Sequence, residues 1–243
     1  MRDIRFLPCG DTCLTVEFGN AIDPGINARV CALARLLSEA KLPGIRESVP
    51  TFRSLLISYD PLTLPYKKLI RTLEPLLDRC GDTAAGSRRV IELPVCYGGA
   101  YGEDLPDVAA HAGISADEVI RRHSAPEYLI YMLGFLPGFA YLGGLDESIV
   151  TPRLSSPRTR IPAGSVGIGG AQTGVYPLDS PGGWRLIGST PVKPYDPARA
   201  EPILYRAGDY IKFVPVEEKT YLDIRAQVEA GTYRPTVREG GQA

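Results

Sequence analysis

Two arginines separated by a single residue are the side chains of this sequence best suited to bind an anion. Arg158 and Arg160 lie between Pro157 and Pro162, and the prolines favour an extended backbone. In an extended segment their side chains project from the same side of the chain, about 6 to 7 Å apart. Two fixed guanidinium groups would form a fork for a carboxylate or a phosphate. The alternative is a solvated loop that carries arginines, including the nearby Arg153.

A glycine-rich segment that follows offers further polar contacts for the same ligand. Gln172 and Thr173 lie between Gly170 and Gly174, where the backbone can approach a ligand and the side chains can bond a carbonyl or carboxylate. A hairpin turn with capping side chains is the alternative. Trp184, the only tryptophan, would be either a rigid wall beside a pocket or part of the core.

One histidine is a candidate general base. His123 falls in the last turn of a predicted helix, and an ordinary histidine pKa near neutrality suits proton transfer. A cap on the helix C-terminus is the alternative role. Nearby aromatic residues would line a pocket, form an interface with another protein chain or pack in the core: Tyr131, Phe135, Phe139 and Tyr141. The predicted substrate-binding set is Arg153, Arg158, Arg160, Gln172, Thr173 and Trp184.

Composition and motif searches argue against several functional classes. With 27 Lys and Arg against 28 Asp and Glu, nothing in the charge indicates a nucleic acid or an anionic membrane as partner. Two histidines, and five cysteines without metal-ligand spacing, predict reduced thiols and no metal. Phosphate-loop, dinucleotide, biotin-attachment and hydrolase-nucleophile motifs are absent. Without a signal peptide or an apolar run near the ~20 residues that span a bilayer, we expect a cytoplasmic protein.

The pattern of elements predicts two domains and a tail. Residues 1–82 read strand, strand, helix, strand, strand, helix, which predicts a small α+β domain. Gly81–Ser87 has the composition of a linker. In residues 88–230, short strands separated by Gly or Pro predict a mainly-β barrel. Residues 231–243 are predicted to form a flexible tail.

Several ordered blocks of this chain resemble one known family. They are Gly134–Leu142 (GFLPGFAYL), Thr151–Arg153 (TPR), Pro157–Val166 (PRTRIPAGSV), Gln172–Pro177 (QTGVYP) and Ser180–Pro191 (SPGGWRLIGSTP). In this order they resemble the family that comprises the 5-oxoprolinase B subunit, allophanate hydrolase subunit 1 and the sporulation-kinase inhibitor KipI. The similarity extends to Val49–Leu55 in the first domain, so it covers most of the chain.

The resemblance implies a cyclophilin-like barrel as the second domain and a shared active site. A KipA-like C subunit and a LamB/YcsF-like A subunit of 5-oxoprolinase would join this chain to open the lactam of 5-oxoproline to L-glutamate with ATP. This chain alone would bind no cofactor and would be inactive. Residue chemistry, rather than the resemblance, suggests that Arg158 or Arg160 would hold the substrate carboxylate while Gln172 and Thr173 address the amide, and the catalytic residues stay unassigned. The alternatives are a regulator that inhibits a sensor histidine kinase and a carboxyltransferase or allophanate-hydrolase subunit of urea metabolism.

Overall fold

The first of two compact units is a four-stranded sheet with two helices. A computed structural model of the protein describes residues 4–80 and 88–240, and these two ranges form the two units. The elements of the first unit are β1 (Arg5–Pro8), β2 (Cys13–Glu17), α1 (Pro24–Ala40), β3 (Ile45–Pro50), β4 (Ser54–Tyr59) and α2 (Tyr66–Arg79). The strands pair antiparallel in the order β1-β2-β4-β3. The α+β order predicted for this half is the order observed.

Local sequence signals account for both helices. Asp23 caps α1 by accepting the Ile26 N–H at 2.9 Å, and Pro24 occupies the first turn, where its missing N–H is not needed. The sequence predicts that Pro75 kinks α2 or ends it early, yet the helix continues to Arg79. Buried Leu73 and Leu77 hold the helix against the core on both sides of the proline. The predicted linker at Gly81–Ser87 lies outside the described residues.

The second unit is built on a large sheet that nearly closes into a barrel. Its strands are β5 (Arg88–Tyr97), β6 (Tyr128–Leu133), β7 (Ala140–Gly143), β8 (Arg158–Ile161), β9 (Ser165–Gly169), β10 (Gln172–Val175), β11 (Ser180–Gly182), β12 (Arg185–Ser189), β13 (Tyr210–Pro215) and β14 (Val237–Gly240). Its helices are α3 (Leu105–Ala112), α4 (Ala116–Ser124) and α5 (Glu218–Glu229). Short 3-10 turns lie at Gly99–Tyr101 and Glu147–Ile149.

The order of the strands explains the near closure. The sheet runs β10-β9-β12-β5-β13-β6-β7, and its two ends, β10 and β7, lie beside each other. β13 runs parallel to β5, whereas the other pairs along this path are antiparallel. Alternate residues fill the interior with buried apolar side chains, among them Ile91, Ile130 and Phe213. The coarse prediction of a mixed α/β chain with a barrel-like second half is therefore confirmed, and the cyclophilin-like assignment stays a prediction.

The C-terminal region differs from the flexible tail that the sequence predicts. Val237–Gly240 forms β14, which pairs antiparallel with Arg88–Ile91 of β5. Arg238 adds ion pairs at 2.8 Å to Glu92 and at 2.7 Å to Glu127. This strand is short and mostly polar, and its partners lie far away along the chain.

Residues 4–80 and 88–240 contain neither a membrane-spanning helix nor a cluster of metal ligands. No helix in these ranges has the length and apolar character needed to cross a bilayer. Within the same ranges, no three His, Cys, Asp or Glu side chains converge in a way that could hold a metal ion. The five cysteines are thiols rather than members of disulfides, as the sequence predicts.

Candidate functional site

The centre of the candidate site is Trp184, whose ring packs against glycine positions of two neighbouring strands. β9 and β10 form a hairpin whose two-residue turn begins at Gly170, with φ +66°. A Cβ added at Gly169 would lie 2.3 Å from Cδ1 and Nε1 of Trp184, and one at Gly174 would lie 3.3 Å from its Cζ3. Trp184 can approach this face only because these positions are glycine. Gly169 and Gly174 allow the indole to pack closely, whereas the sequence suggests that the glycines of this segment form a turn.

Aromatic side chains surround this tryptophan. Phe139 and Tyr176 contact the Trp184 ring edge-to-face, with centroids 5.7 and 6.0 Å away. Phe135 in turn packs edge-to-face on Phe139 at 5.5 Å. Phe135 is 64% exposed and has φ +68°, a left-handed conformation that is uncommon for a bulky residue. Tyr205 holds the same loop from inside by donating to the Gly138 carbonyl at 2.8 Å. Strained residues of this kind concentrate at binding sites.

Three polar groups at this tryptophan have no hydrogen-bond partner among the residues that the structure describes. The Arg153 guanidinium lies over the indole, 5.8 Å from the ring centroid, and is exposed. The Trp184 indole N–H and the Gln172 amide are the other two. Gln172 pairs with Gly169 across the hairpin, so its side chain lies on the face that Trp184 covers. We call Phe135, Phe139, Arg153, Gln172 and Trp184 the Trp184 face.

Arg158 is committed to carboxylates of this unit. It donates to Asp104 at 2.8 Å and lies 3.0 Å from Glu103. The second oxygen of Asp104 accepts the Leu186 N–H at 2.7 Å, and Asp104 is buried. Asp104 raises the pKa of Arg158 above its ordinary value, so the guanidinium stays charged. Its main contribution is to tie β8 to the start of α3 and to β12.

Arg160 is also paired, but in solvent. Its Nε and terminal nitrogen contact Asp179 at 2.9 and 2.7 Å, and the side chain is 77% exposed. Asp179 also accepts the Ala163 N–H at 2.8 Å. Arg158 and Arg160 do belong to one strand, as the sequence predicts. Each is neutralised by its own carboxylate, so they do not form an open two-arginine fork.

Thr173 and His123 lie inside the barrel rather than at a ligand surface. Thr173 is 1% exposed and donates to the Gly167 carbonyl at 3.0 Å. His123 is 0% exposed, and both ring nitrogens are hydrogen-bonded, to Tyr97 at 2.8 Å and to Thr173 at 2.7 Å. Burial lowers the pKa of His123 to about 3. This environment does not suit a general base that must meet a substrate, and the geometry places neither residue in contact with a ligand.

The structure therefore divides the predicted residues into two groups. Arg153, Gln172 and the Trp184 indole N–H have no hydrogen-bond partner among the described residues, although the Trp184 ring itself is only 5% exposed and packs in a small core with Phe139 and Tyr176. Arg158, Arg160, Thr173 and His123 are occupied by protein partners. Sequence reasoning missed Asp104 and Asp179, because nothing local to either residue indicates an arginine partner 54 or 19 positions away. The face that remains offers a cation, two neutral donors and an aromatic wall, which suits a small planar ligand with a carboxylate or amide oxygen.

Comparison with known proteins assigns the family. The profile of the family described as carboxyltransferase domain, subdomain C and D, matches residues 4–205, and the chain belongs to this family. The 5-oxoprolinase B subunit of Bacillus subtilis (strain 168) is 45% identical over 222 residues, which cover 87% of this chain and 92% of that protein. The urea amidolyase of Saccharomyces cerevisiae is more distant, with 27% identity over 97% of this chain and 14% of the relative.

A solved structure gives an independent match. The crystal structure of TTHA0988 superposes with a TM-score of 0.76 at 40% identity and covers 84% of this chain. This chain spans 40% of the length of that protein. The sequence match and the structural match therefore each cover most of this chain.

Proposed function

We propose that this chain is the B subunit of a 5-oxoprolinase that opens the lactam of 5-oxoproline to L-glutamate together with the A and C subunits. The observation that carries this proposal is the 45% identity to a 5-oxoprolinase B subunit across 92% of that protein. The urea-metabolism relatives share only 27% identity, which favours the lactam over a urea-derived amide.

The Trp184 face is the proposed substrate contact on this chain. Arg153 would bind the carboxylate of 5-oxoproline, since it has no carboxylate partner among residues 4–80 and 88–240. Gln172 and the Trp184 indole N–H would bond the lactam amide, and the aromatic rings would pack against the five-membered ring. Preorganised donors of this kind favour charge that develops on a carbonyl oxygen.

This proposal requires partner proteins because the Trp184 face does not offer every group that the reaction needs. Among the described residues, it presents no general base, and its one histidine candidate is buried. ATP would be bound and used elsewhere in the assembly. The A and C subunits would supply these parts and close the site, and the isolated chain would be inactive.

Reconstitution tests the proposal directly. The chain is co-expressed with candidate A and C subunits, and glutamate formed from 5-oxoproline is measured with and without ATP. We expect ATP-dependent hydrolysis by the full set and none by any component alone. Inhibition of a sensor histidine kinase by the isolated chain, with no hydrolysis in the mixture, would replace the proposal with the regulatory alternative.

A variant pair then tests the contact. Arg153→Ala should lower kcat/KM by about 10- to 100-fold, the range for a lost hydrogen bond to a charged group. Arg35→Ala is the control, since Arg35 is an exposed arginine of the first unit that pairs with the exposed Glu39. Equal kinetics in the two variants would remove Arg153 from the substrate contact while leaving the 5-oxoprolinase assignment intact.

A further inference from the structure

The partly buried Tyr97 and the buried His123 and Thr173 form a continuous chain of hydrogen bonds in the barrel. The Tyr97 hydroxyl lies 2.8 Å from Nδ1 of His123, and Nε2 of His123 lies 2.7 Å from Oγ1 of Thr173. Thr173 continues to the Gly167 carbonyl at 3.0 Å. Phe213 stacks on the histidine ring at a centroid distance of 4.7 Å and fixes its plane. The chain therefore runs from β5 through α4 to the β9–β10 hairpin.

The last acceptor fixes the direction of every bond in this chain. The Gly167 carbonyl can only accept, so the Thr173 hydroxyl must donate to it. Oγ1 of Thr173 must then accept from Nε2–H of His123. Burial lowers the pKa of His123 and keeps the ring neutral, so Nδ1 carries no hydrogen and accepts from the Tyr97 hydroxyl. His123 is thus a neutral Nε2–H tautomer. A chain that ends on a carbonyl cannot pass a proton onward, which excludes a proton relay.

The hairpin needs such an anchor because its own side chains define its register weakly. Four of its positions are glycine: Gly167, Gly169, Gly170 and Gly174. Strands rich in glycine are prone to slip, and a slip of one residue moves every side chain to the opposite face. Thr173 points inward and its neighbour Gln172 points outward, because successive strand residues alternate. An apolar contact such as that of Ile168 tolerates sliding better than a directed hydrogen bond does.

We infer that Tyr97, His123 and Thr173 act as positioning residues that lock the register of the β9–β10 hairpin and thereby hold Gln172 on the Trp184 face. Their functional effect rests on the proposed function, since only an active complex can show what Gln172 does. Their effect on the register of the hairpin does not depend on the proposed function. In a slipped register, Gln172 would enter the core and Thr173 would face solvent, and the Trp184 face would lose one of its three open polar groups.

The first test uses the isolated chain and needs no activity. Nitrogen-15 spectra of His123 should show the neutral Nε2–H tautomer in the wild type and in Thr173→Ser, which keeps the hydroxyl. Thr173→Val removes the hydroxyl at nearly constant shape, so amide exchange should accelerate about tenfold in residues 166–175 and remain unchanged in residues 54–59. Thr72→Val, at a half-buried threonine of α2 whose hydroxyl donates to the Lys68 carbonyl, is the matched control. An Nδ1–H tautomer, or equal exchange in the valine and serine variants, would overturn the inference.

The second test uses the reconstituted complex. Thr173→Val should lower kcat/KM about tenfold at a temperature where the variant remains folded, and Thr173→Ser should stay within about twofold of the wild type. The double variant Thr173→Val/Gln172→Ala should be no slower than Gln172→Ala alone, because the anchor acts through Gln172. Additive losses would show that Thr173 acts by another route. If the wild-type complex shows no hydrolysis, the proposed function fails, and the register lock is decided by the exchange and tautomer measurements.

Discussion

At the scale of single residues, the absence of a side chain is as informative as its presence. The ring of Trp184 lies where Cβ atoms at Gly169 and Gly174 would otherwise be. The glycines therefore leave room on these strands for the indole, and Phe139 and Tyr176 pack against its edges. This arrangement leads to a prediction that does not depend on any assigned activity.

Gly169→Ala should displace the indole. Its new Cβ would lie 2.3 Å from Trp184, which forces the ring or the strand to move, at a cost of about 1–3 kcal/mol. Urea unfolding measures the loss, and the indole N–H signal in proton spectra reports the movement of the ring. Gly183→Ala is the control, since its Cβ would meet its nearest neighbours at an ordinary 3.7 Å. Similar midpoints for the two variants would contradict the packing.

The two arginines of β8 should differ in their effect on stability. Arg158→Ala leaves the carboxylate of Asp104 buried with one partner fewer, and we expect a loss of about 2–4 kcal/mol. Arg160→Ala breaks an exposed pair and should cost less than about 1 kcal/mol. Denaturant midpoints of the two variants provide the comparison. A smaller loss for Arg158→Ala than for Arg160→Ala would show that the Asp104 pair is not structural.

His123 should make stability depend on pH in a defined direction. Burial lowers its pKa from 6.5 to about 3, so below about pH 6.5 the unfolded chain binds a proton that the folded chain does not. The free energy of unfolding should therefore fall as pH falls through this window, by up to about 1.4 kcal/mol per pH unit from this group.

Unfolding at several pH values measures this slope. His123→Gln should lack the contribution, whereas His111→Gln should keep it, because His111 is exposed. An identical slope in the wild type and in His123→Gln would contradict the buried neutral state of the ring.

At the scale of elements, β5 is the strand with the most partners in the second unit. It pairs with β14 over residues 88–91, with β13 over residues 90–95 and with β12 at residues 96–97. Ending the chain after Thr236 should expose the first residues of β5 and speed their amide exchange about tenfold, since a few net hydrogen bonds are lost. Exchange in β4 is the internal control. Unchanged rates at residues 88–91 would argue against the pairing of β14 in solution.

At the scale of the whole molecule, each unit has its own apolar core. Leu33, Leu55 and Leu69 belong to one core and Ile91, Ile130 and Phe213 to the other. Residues 1–87 and residues 88–243, expressed separately, should each unfold cooperatively in circular dichroism. A fragment of residues 1–59 is the control, because it lacks the buried leucines of α2. Failure of both larger fragments to fold would show that neither core suffices.

The sequence predicts local structure well and long-range pairing poorly. Asp23 with Pro24, and Ser115 with Glu118, mark helix starts that the structure reproduces, because capping involves neighbours within four residues. The partner of Arg158 lies 54 residues away, and no pattern near either residue indicates it. For the same reason, the sequence predicts an arginine fork from Arg158 and Arg160 but does not reveal the carboxylates that pair with each of them.

Trp184 is the only tryptophan among the 243 residues, so it dominates the intrinsic fluorescence of the protein. That emitter is 5% exposed and lies under Arg153, on the face that we propose as the substrate contact. Any molecule that reaches this surface should change the intensity or the wavelength of the emitted light. An unlabelled sample in a cuvette is therefore enough to screen candidate ligands, one at a time, before any partner protein is in hand.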